Sequence, residues 1–284
     1  MIKLYIKQLR PKNWLKNVFV FVPLVFSLQL LNADKAFSAL IAFAAFCLVS
    51  SAAYIINDIC DADKDAAHPT KCCRPIASGM ITKGRAAVYA VLIIFFGLAV
   101  SFTVSYIVCL FAAAYLALNL SYTLVLKHRP IFDCFSIALG FVLRVFAGGF
   151  ACGEYVSDFL FLTVFTMSLS MAFGKRRGEM LKVDPSNQRK VLKHYNLPFL
   201  GAMTFVCAGL SIVFYSLWSM NHRLNMIFTV PIVIFIVCKY LLLVNDTDSD
   251  GDPTEVILAD KTLLAACIVY ISATVALLYA GSLA

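Results

Sequence analysis

Long apolar stretches, each able to cross a lipid bilayer, run through the sequence from near its start to its end. A membrane-spanning helix needs about 17–25 such residues. Hydrophobic residues make up 61% of the 284 and charged residues only 14%, which excludes an ordinary soluble domain. The pattern predicts an all-α integral membrane protein. We predict nine transmembrane helices, at residues 15–31, 36–56, 86–104, 106–126, 131–151, 157–173, 199–219, 224–244 and 262–282.

The nine predicted spans belong to one multi-pass membrane domain that covers residues 1–284, since no linker, low-complexity tract or tandem repeat divides them. No short apolar segment with a small-residue cleavage site opens the chain, so we expect the first span to be retained and not removed as a signal peptide.

Lysine and arginine residues give the predicted spans a direction. With the N-terminus inside, all but three of the 24 basic residues fall on inner flanks and loops, the exceptions being Lys35, Arg144 and Arg223. Basic residues concentrate on the cytoplasmic side of a membrane protein. We therefore predict a cell (inner or plasma) membrane protein whose N-terminus and long polar loops are cytoplasmic and whose C-terminus lies outside.

Four side chains that follow the second predicted span lie on one face of a helix. At about 100° per residue, that face spans about 100°. It consists of Asn57, Asp58, Asp61 and Asp65. Carboxylates this close repel one another unless a cation lies between them, and hard oxygen ligands suit Mg²⁺, which often bridges to a substrate phosphate. The alternative is a solvated acidic helix end, an unusual choice on a chain with net charge +8. Asp63 points away from this face.

Two groups of cations could bind phosphate. Lys71 and Arg74 follow the acidic face within a few residues, close enough to hold phosphate oxygens that a metal bridges. Their alternative role is only to orient the spans. Lys175, Arg176 and Glu179 share a helical face where the sixth span meets the cytoplasm. They suit anion and sugar recognition, although cations at a helix end also commonly extend towards the interface.

Further polar residues lie within or beside the spans. Arg144 lies inside the fifth predicted span, where a charge marks either a functional site or a buried or interfacial structural contact. Lys16, Asn17, Tyr122 and Lys127 are placed at the same inner mouth as the acidic loop, and we include them as candidate substrate-binding residues.

Two other metal sites are disfavoured. Cys60, His68, Cys72 and Cys73 match no CxxC zinc spacing. The loop that starts at Asn245 begins like a calcium-binding loop, but its twelfth position is not the bidentate glutamate that such loops require.

The NDxxDxxxD motif of the acidic face resembles the UbiA superfamily of membrane prenyltransferases. Within that superfamily the chain is most similar to the polyprenyl-phosphate phosphoribosyltransferases, over essentially its full length. The matching motifs are RPxxWxKN at 10–17, HPTKxxRPIA at 68–77, LKH at 126–128, LRxxAGG at 143–149, GKRxxE at 174–179 and Gly-Asp-Pro at 251–253.

This resemblance implies a UbiA-type helical bundle and an enzyme that uses Mg²⁺. Its implied reaction transfers 5-phosphoribose from phosphoribosyl diphosphate to a decaprenyl-type polyprenyl phosphate and releases diphosphate, for cell-wall arabinan. Asp58, Asp61, Lys71 and Arg74 would carry the chemistry, with the metal on the acidic face and cations on the phosphates.

Two alternatives remain open. An aromatic-ring prenyltransferase of the same superfamily would use a prenyl diphosphate, but such members carry a second DxxxD motif after the sixth span, where this chain has Lys175–Glu179. A transporter or non-enzymatic membrane partner does not explain clustered metal ligands. The sequence leaves open whether the chain forms a homo-oligomer, and we expect no nucleic-acid partner.

Overall fold

The chain is helical, as the apolar stretches predict. The computed structural model describes residues 2–67, 71–182, 190–222, 225–245 and 253–280, and every regular element within them is a helix. The α-helices are α1 (Ile2–Gln8), α2 (Val22–Phe26), α3 (Ala33–Ala66), α4 (Lys83–Val104), α5 (Tyr106–Leu124), α6 (Phe132–Cys152), α7 (Asp158–Lys182), α8 (Leu197–His222), α9 (Val230–Val244), α10 (Pro253–Ala259) and α11 (Lys261–Ala280). Short 3₁₀-helices occupy Pro11–Phe21, Lys71–Cys73, Leu126–His128, Lys190–His194 and Met226–Thr229.

Within the described ranges, eight helices are long and apolar enough to cross a bilayer. They are α3 to α8, the stretch Met226–Val244 that contains α9, and α11. Each coincides with one of the nine predicted spans, so the all-α membrane architecture is confirmed, while the count of nine is not.

The exception is the predicted first span, residues 15–31. This segment folds as the 3₁₀-helix Pro11–Phe21, followed by the five residues of α2, and Leu28 then adopts a φ of +63°. Proline fits the first turn of a helix but not its interior. Pro11 and Pro23 therefore each begin a separate short helix, and no continuous helix of spanning length forms there.

The described residues group into two compact units. One comprises the chain up to Lys127 together with Gly140–Val156, and the other comprises His128–Leu139 and the chain from Ser157 onward. Helix α6 begins in the second unit and ends in the first.

Close helix packing organises the first unit around α3. Gly97 of α4 lies so near α3 that a Cβ there would be 2.8 Å from Cγ2 of Val49. At Gly148 of α6, a Cβ would collide with the carbonyl oxygen of Val20. Small residues at such crossings let membrane helices approach each other closely. These contacts hold the 3₁₀-helix Pro11–Phe21 in the core of this unit.

The second unit is built on α7 and α8. Leu169 of α7 and Leu200 of α8 belong to one buried cluster, and a separate cluster joins Tyr240 of α9 to Leu263 of α11.

The length of α3 places its carboxylates beyond the apolar part of the helix. Asn32 caps its start by accepting the backbone N–H of Lys35. Its 34 residues extend about 51 Å at the 1.5 Å rise of an α-helix, whereas the hydrocarbon core of a bilayer is about 30 Å thick. The last turns of α3, from Asn57 to Ala66, can therefore lie at the membrane surface. Negative charges at a helix C-terminus are unfavourable, so this end needs nearby cations.

Candidate active site

Asp58 forms the centre of a polar cluster at the end of α3. It is almost completely buried, and three side chains donate hydrogen bonds to its carboxylate. Gln8 Nε2 lies 2.7 Å from Oδ2, and Arg10 Nη2 and Arg74 Nη1 lie 2.5 and 3.1 Å from Oδ1. Two guanidinium partners thus compensate this buried carboxylate.

Arg74 connects two of the predicted ligands. Its Nη1 also lies 2.5 Å from Oδ2 of Asp65, so one guanidinium bridges Asp58 and Asp65 across two turns of α3. The two carboxylates therefore share a face of the helix, as its periodicity predicts. Asp63 does not join them, and its exposed carboxylate pairs with Lys83 at 2.8 Å.

The other two predicted ligands contact the end of α5 and the residues after it. Lys127 Nζ lies 2.8 and 2.9 Å from the two carboxylate oxygens of Asp61. Thr123 donates to the side-chain oxygen of Asn57 over 3.3 Å. The polar face of α3 is thus neutralised from two sides, by Arg10 and Arg74 on one and by Lys127 on the other.

The donor atoms of this face suit a hard divalent cation, but the carboxylates are paired with protein cations. Among the described residues, no three His, Cys, Asp or Glu side chains converge so as to hold a metal ion. Asp58, Asp61 and Asp65 supply the oxygen ligands that Mg²⁺ prefers. A metal could bind them only if the arginine and lysine groups moved aside.

A cavity of about 310 Å³ opens beside Asp58, large enough for a small-molecule ligand. Three of its seven lining residues are cationic and one is acidic. The residues are Lys7, Gln8, Arg10, Asp58, Cys73, Arg74 and Pro75. Arg10 has a φ of +53°, a costly conformation for a non-glycine residue. A larger, mainly apolar groove of about 570 Å³ between α1 and α4 does not include these carboxylates in its lining.

The remaining candidates near this cluster are only partly buried. Lys16 lies on the 3₁₀-helix Pro11–Phe21, Lys71 begins the 3₁₀-helix Lys71–Cys73, and Tyr122 lies on the last turn of α5. The first three residues of the HPTKxxRPIA motif, at 68–70, lie outside the described residues.

Arg144 is buried inside the first unit. Its guanidinium donates to Asn17 Oδ1 at 2.7 Å, to the carbonyl oxygen of Gly140 at 2.8 Å and to the Tyr115 hydroxyl at 2.7 Å. It also lies over the Tyr115 ring, 4.4 Å from its centroid. Asn17, itself buried, donates in turn to Ser50 over 3.2 Å. This network fixes the 3₁₀-helix Pro11–Phe21 to α3, α5 and α6.

The second unit contains a different charge cluster around Arg176. Its Nε lies 2.7 Å from Oδ2 of Asp133, and its Nη1 lies 2.6 Å from Oε2 of Glu179. Tyr195 donates to the other oxygen of Asp133 over 2.7 Å and accepts the backbone N–H of Ile131. Burial, followed by the hydrogen bond to Asp133, raises the pKa of Tyr195. Lys175, the other cation of this motif, is partly exposed.

Sequence reasoning did not single out Gln8, Arg10, Tyr115, Asp133 or Tyr195. Two of them could have been recognised from the sequence. Arg10 opens the RPxxWxKN motif, and Asp133 is the one acidic residue of the predicted span 131–151.

The described residues give no support to the zinc and calcium sites that the sequence disfavours. Cys60, Cys72 and Cys73 form no metal-binding group among the described residues, and His68 lies outside them. The thiols of Cys72 and Cys73 lie 3.9 Å apart, and their hydrogen bond raises the pKa of Cys72. Most of the calcium-like loop and of the Gly-Asp-Pro motif, at 246–252, also lies outside the described residues.

The sequence of the chain is similar to that of one family of proteins. The profile described as UbiA prenyltransferase family matches residues 19–254. A protein of Corynebacterium glutamicum named decaprenyl-phosphate phosphoribosyltransferase is 35% identical, over 96% of this chain and 86% of its own length. The protein of the same name from Mycolicibacterium smegmatis is 32% identical, over 96% and 92%.

Solved structures agree on the fold. The structure described as a UbiA homolog from Archaeoglobus fulgidus bound to DMAPP and Mg²⁺ superposes with a TM-score of 0.74. It covers 96% of this chain and 98% of the other, at 17% sequence identity. At that identity the similarity concerns the fold alone.

Proposed function

The chain belongs to the UbiA prenyltransferase family, and on that premise we propose that it transfers 5-phosphoribose from phosphoribosyl diphosphate to a polyprenyl phosphate. Its relatives named decaprenyl-phosphate phosphoribosyltransferase support a membrane transferase that acts on a polyprenyl phosphate. The observation that carries the proposal is the cluster beside one cavity, in which Asp58 and Asp65 share Arg74 and Asp58 also binds Arg10.

The acidic face is proposed to bind Mg²⁺ together with the donor's diphosphate. Its ligands would be Asn57, Asp58, Asp61 and Asp65. When bound, the metal would supply positive charge that stabilises the departing diphosphate. In the structure the carboxylates are paired with cations of the chain itself, so metal binding alone would leave those cations without counterions. We therefore expect Mg²⁺ and the diphosphate to bind cooperatively.

The same cations are suited to the donor's phosphates. Arg10 and Arg74 border the cavity, and Lys127 lies beside Asp61. Once a metal holds the carboxylates, these groups can turn to phosphate oxygens, with charge-assisted hydrogen bonds replacing those they lose. Lys71, next to this cluster in the chain, is proposed to act with them. One set of positive groups would thus compensate the carboxylates and bind the donor's phosphates.

The proposed reaction requires little proton transfer by the protein. The bond between C1 of the ribose and the diphosphate oxygen breaks, an oxygen of the polyprenyl phosphate bonds to C1, and the electron pair leaves with the diphosphate. The acceptor phosphate is already ionised near neutral pH, so it needs no strong general base. Catalysis would consist mainly of positioning and of stabilising negative charge on the leaving group.

The cations of the second unit are proposed to have unequal roles. Arg176 is buried between Asp133 and Glu179, which suits a positioning residue better than the direct phosphate ligand that the sequence suggests. Lys175 is partly exposed and is proposed to contact phosphate. Glu179 is proposed to contact the sugar of the donor. Asn17 and Arg144 are likewise proposed to hold the 3₁₀-helix Pro11–Phe21 in place, leaving Lys16 and Tyr122 as candidate substrate contacts.

We also propose that the site faces the cytoplasm of the cell membrane, with the N-terminus inside and the C-terminus outside. The donor is a highly charged soluble metabolite that cannot cross hydrocarbon unaided, and the basic residues favour the same side. Cys73 borders the cavity, so a membrane-impermeant thiol reagent should miss it in intact cells and label it once the membrane is opened. Labelling in intact cells would contradict this orientation.

The proposed reaction can be tested with purified protein, Mg²⁺, radiolabelled phosphoribosyl diphosphate and a polyprenyl phosphate. We expect label in the lipid phase and none when Mg²⁺ is chelated. A parallel reaction offers a prenyl diphosphate and an aromatic acid. Prenylation of the acid, with no transfer of phosphoribose, would overturn the proposal in favour of an aromatic-ring prenyltransferase.

A further inference from the structure

Gln8 has a buried oxygen atom with no hydrogen-bond partner in the described part of the chain. The residue is 1% exposed and ends α1. Its Nε2 donates to Asp58 at 2.7 Å, while its Oε1 has no partner. A buried polar atom normally has a partner, because leaving it without one is costly.

The orientation of this amide follows from its contact with Asp58. Oδ2 of Asp58 accepts a hydrogen bond from the amide, 2.7 Å from Nε2 of Gln8, and Oδ1 accepts from Arg10 and Arg74. The NH₂ end of Gln8 must therefore face Asp58, and the oxygen must face elsewhere. Gln8 also lines the cavity of about 310 Å³, so a molecule bound there could supply the missing donor.

The cavity is otherwise built for an anion. Lys7, Arg10 and Arg74 in its lining are all donors, and ionised phosphates are all acceptors. Such phosphates satisfy the cations but cannot donate to Gln8 Oε1. A ligand that combines phosphate with a hydroxyl or amine group could contact both the three cations and Gln8 Oε1.

We propose that Gln8 Oε1 accepts a hydrogen bond from a ring hydroxyl of the sugar donor, and that Gln8 thereby selects a sugar diphosphate over a prenyl diphosphate. This inference rests on the proposed function, because it assigns one specificity contact within that site. The ring hydroxyls of phosphoribosyl diphosphate are its hydrogen-bond donors near neutral pH, and a prenyl diphosphate has none. A site that hydrogen-bonds a substrate hydroxyl discriminates strongly against an analogue that lacks it.

The test compares phosphoribosyl diphosphate with its 2-deoxy and 3-deoxy analogues in the wild type and in Gln8→Met. The full-length protein is assayed in detergent with Mg²⁺, measuring both kcat/KM and the Kd of each donor by calorimetry. We expect the wild type to prefer the parent donor over one deoxy analogue at least tenfold in both quantities. In Gln8→Met, which keeps the side-chain volume but removes the acceptor, this preference should fall to about twofold or less.

Lys7→Met is the matched control, since Lys7 lies on the same short helix and lines the same cavity. It should weaken all three donors by a similar factor and leave the preference unchanged. Gln8→Leu, which also lacks a side-chain acceptor, should lose the preference in the same way and serves as the second variant if Gln8→Met does not fold.

The remaining outcomes separate this inference from the proposed function. If the preference of Gln8→Met or Gln8→Leu equals that of the wild type, Gln8 Oε1 does not accept a hydrogen bond from the donor's hydroxyl. If Gln8→Met changes only the Mg²⁺ requirement, equally for all donors, the missing partner is a metal-bound water and the inference fails. If the wild type does not use phosphoribosyl diphosphate at all, the proposed function fails and this contact fails with it.

Discussion

Asp58 in the first unit and Arg176 in the second are both almost fully buried charges, but their partners differ. The side chains of Arg10 and Arg74, which hold Asp58, are 23% and 28% exposed and border a cavity. Arg176 is held by Asp133, which is 0% exposed, and by Glu179, which is 16% exposed. A charge with accessible partners can exchange them for a ligand, whereas one with buried partners cannot do so without leaving a charge uncompensated.

We propose that the Asp58 cluster is a binding site and that the Arg176 cluster is a structural contact, although both use the same kinds of residue. We expect changes in the Asp58 cluster to affect catalysis and donor binding, and changes in the Arg176 cluster to affect folding.

The largest effect is expected from Asp58→Asn, which removes a proposed metal ligand while keeping the side-chain shape. Turnover should fall about a thousandfold, since loss of a single charge-stabilising group commonly costs 10²–10³ in kcat. The label-transfer assay measures this loss. Asp63→Asn is the matched control, because Asp63 lies on the opposite face of α3 with a side chain that is 90% exposed. An equal loss in both variants would remove the distinction between the two faces.

Arg176→Ala should act mainly on stability. Breaking a buried ion pair costs about 3–5 kcal/mol, because Asp133 would remain buried without its cation. The free energy of unfolding in detergent should fall accordingly. Lys193→Ala, an exposed cation of the same unit, should change it by less than about 0.5 kcal/mol. If Arg176→Ala is stable and instead loses affinity for the donor, Arg176 is a phosphate ligand and the contrast is wrong.

Arg74→Ala should act mainly on donor binding. A charge-assisted hydrogen bond is worth about 1.5–3 kcal/mol, so the Kd of phosphoribosyl diphosphate should rise about tenfold to a hundredfold. Calorimetry with Mg²⁺ present measures the change. Arg85→Ala, an exposed arginine of the same unit, is the control and should leave the Kd within about twofold. Equal effects of the two substitutions would indicate general electrostatic attraction instead of a specific contact.

The smallest effect is expected from Tyr195→Phe, which removes the hydrogen bonds to Asp133 and from Ile131. Stability should fall by about 1 kcal/mol. Burial raises the pKa of Tyr195 in the folded chain. Above about pH 10 the unfolded tyrosine ionises while the folded one stays protonated, so the free energy of unfolding of the wild type should fall as pH rises.

In Tyr195→Phe the contribution of this residue to that fall should be absent. Unfolding measured between about pH 8 and about pH 11 tests the difference.

The sequence predicts the helices well where a single local property decides them. Eight predicted spans match the structure because uninterrupted apolar length determines a membrane helix. The first predicted span differs because Pro23 begins a new short helix within an otherwise apolar segment. Asn17, buried there against Ser50, gives this segment a polar contact inside the unit that hydropathy alone does not show.

The candidate site was predicted only in part, for a similar reason. Helical periodicity places Asp58 and Asp65 on one face and Asp63 on another, and the shared contact to Arg74 agrees with it. The partners Gln8 and Arg10 lie about fifty residues away in the chain, so periodicity carries no information about them.

The most direct test measures Mn²⁺, a substitute for Mg²⁺ at carboxylate sites, by electron paramagnetic resonance with and without phosphoribosyl diphosphate. The account predicts weak Mn²⁺ binding by the wild type alone and binding at least tenfold tighter with the donor present. This gain should persist in Asp63→Asn and disappear in Asp58→Asn. Tight Mn²⁺ binding that is independent of the donor, or that survives in Asp58→Asn, would contradict the claim that this cluster exchanges its cations for a metal and a diphosphate.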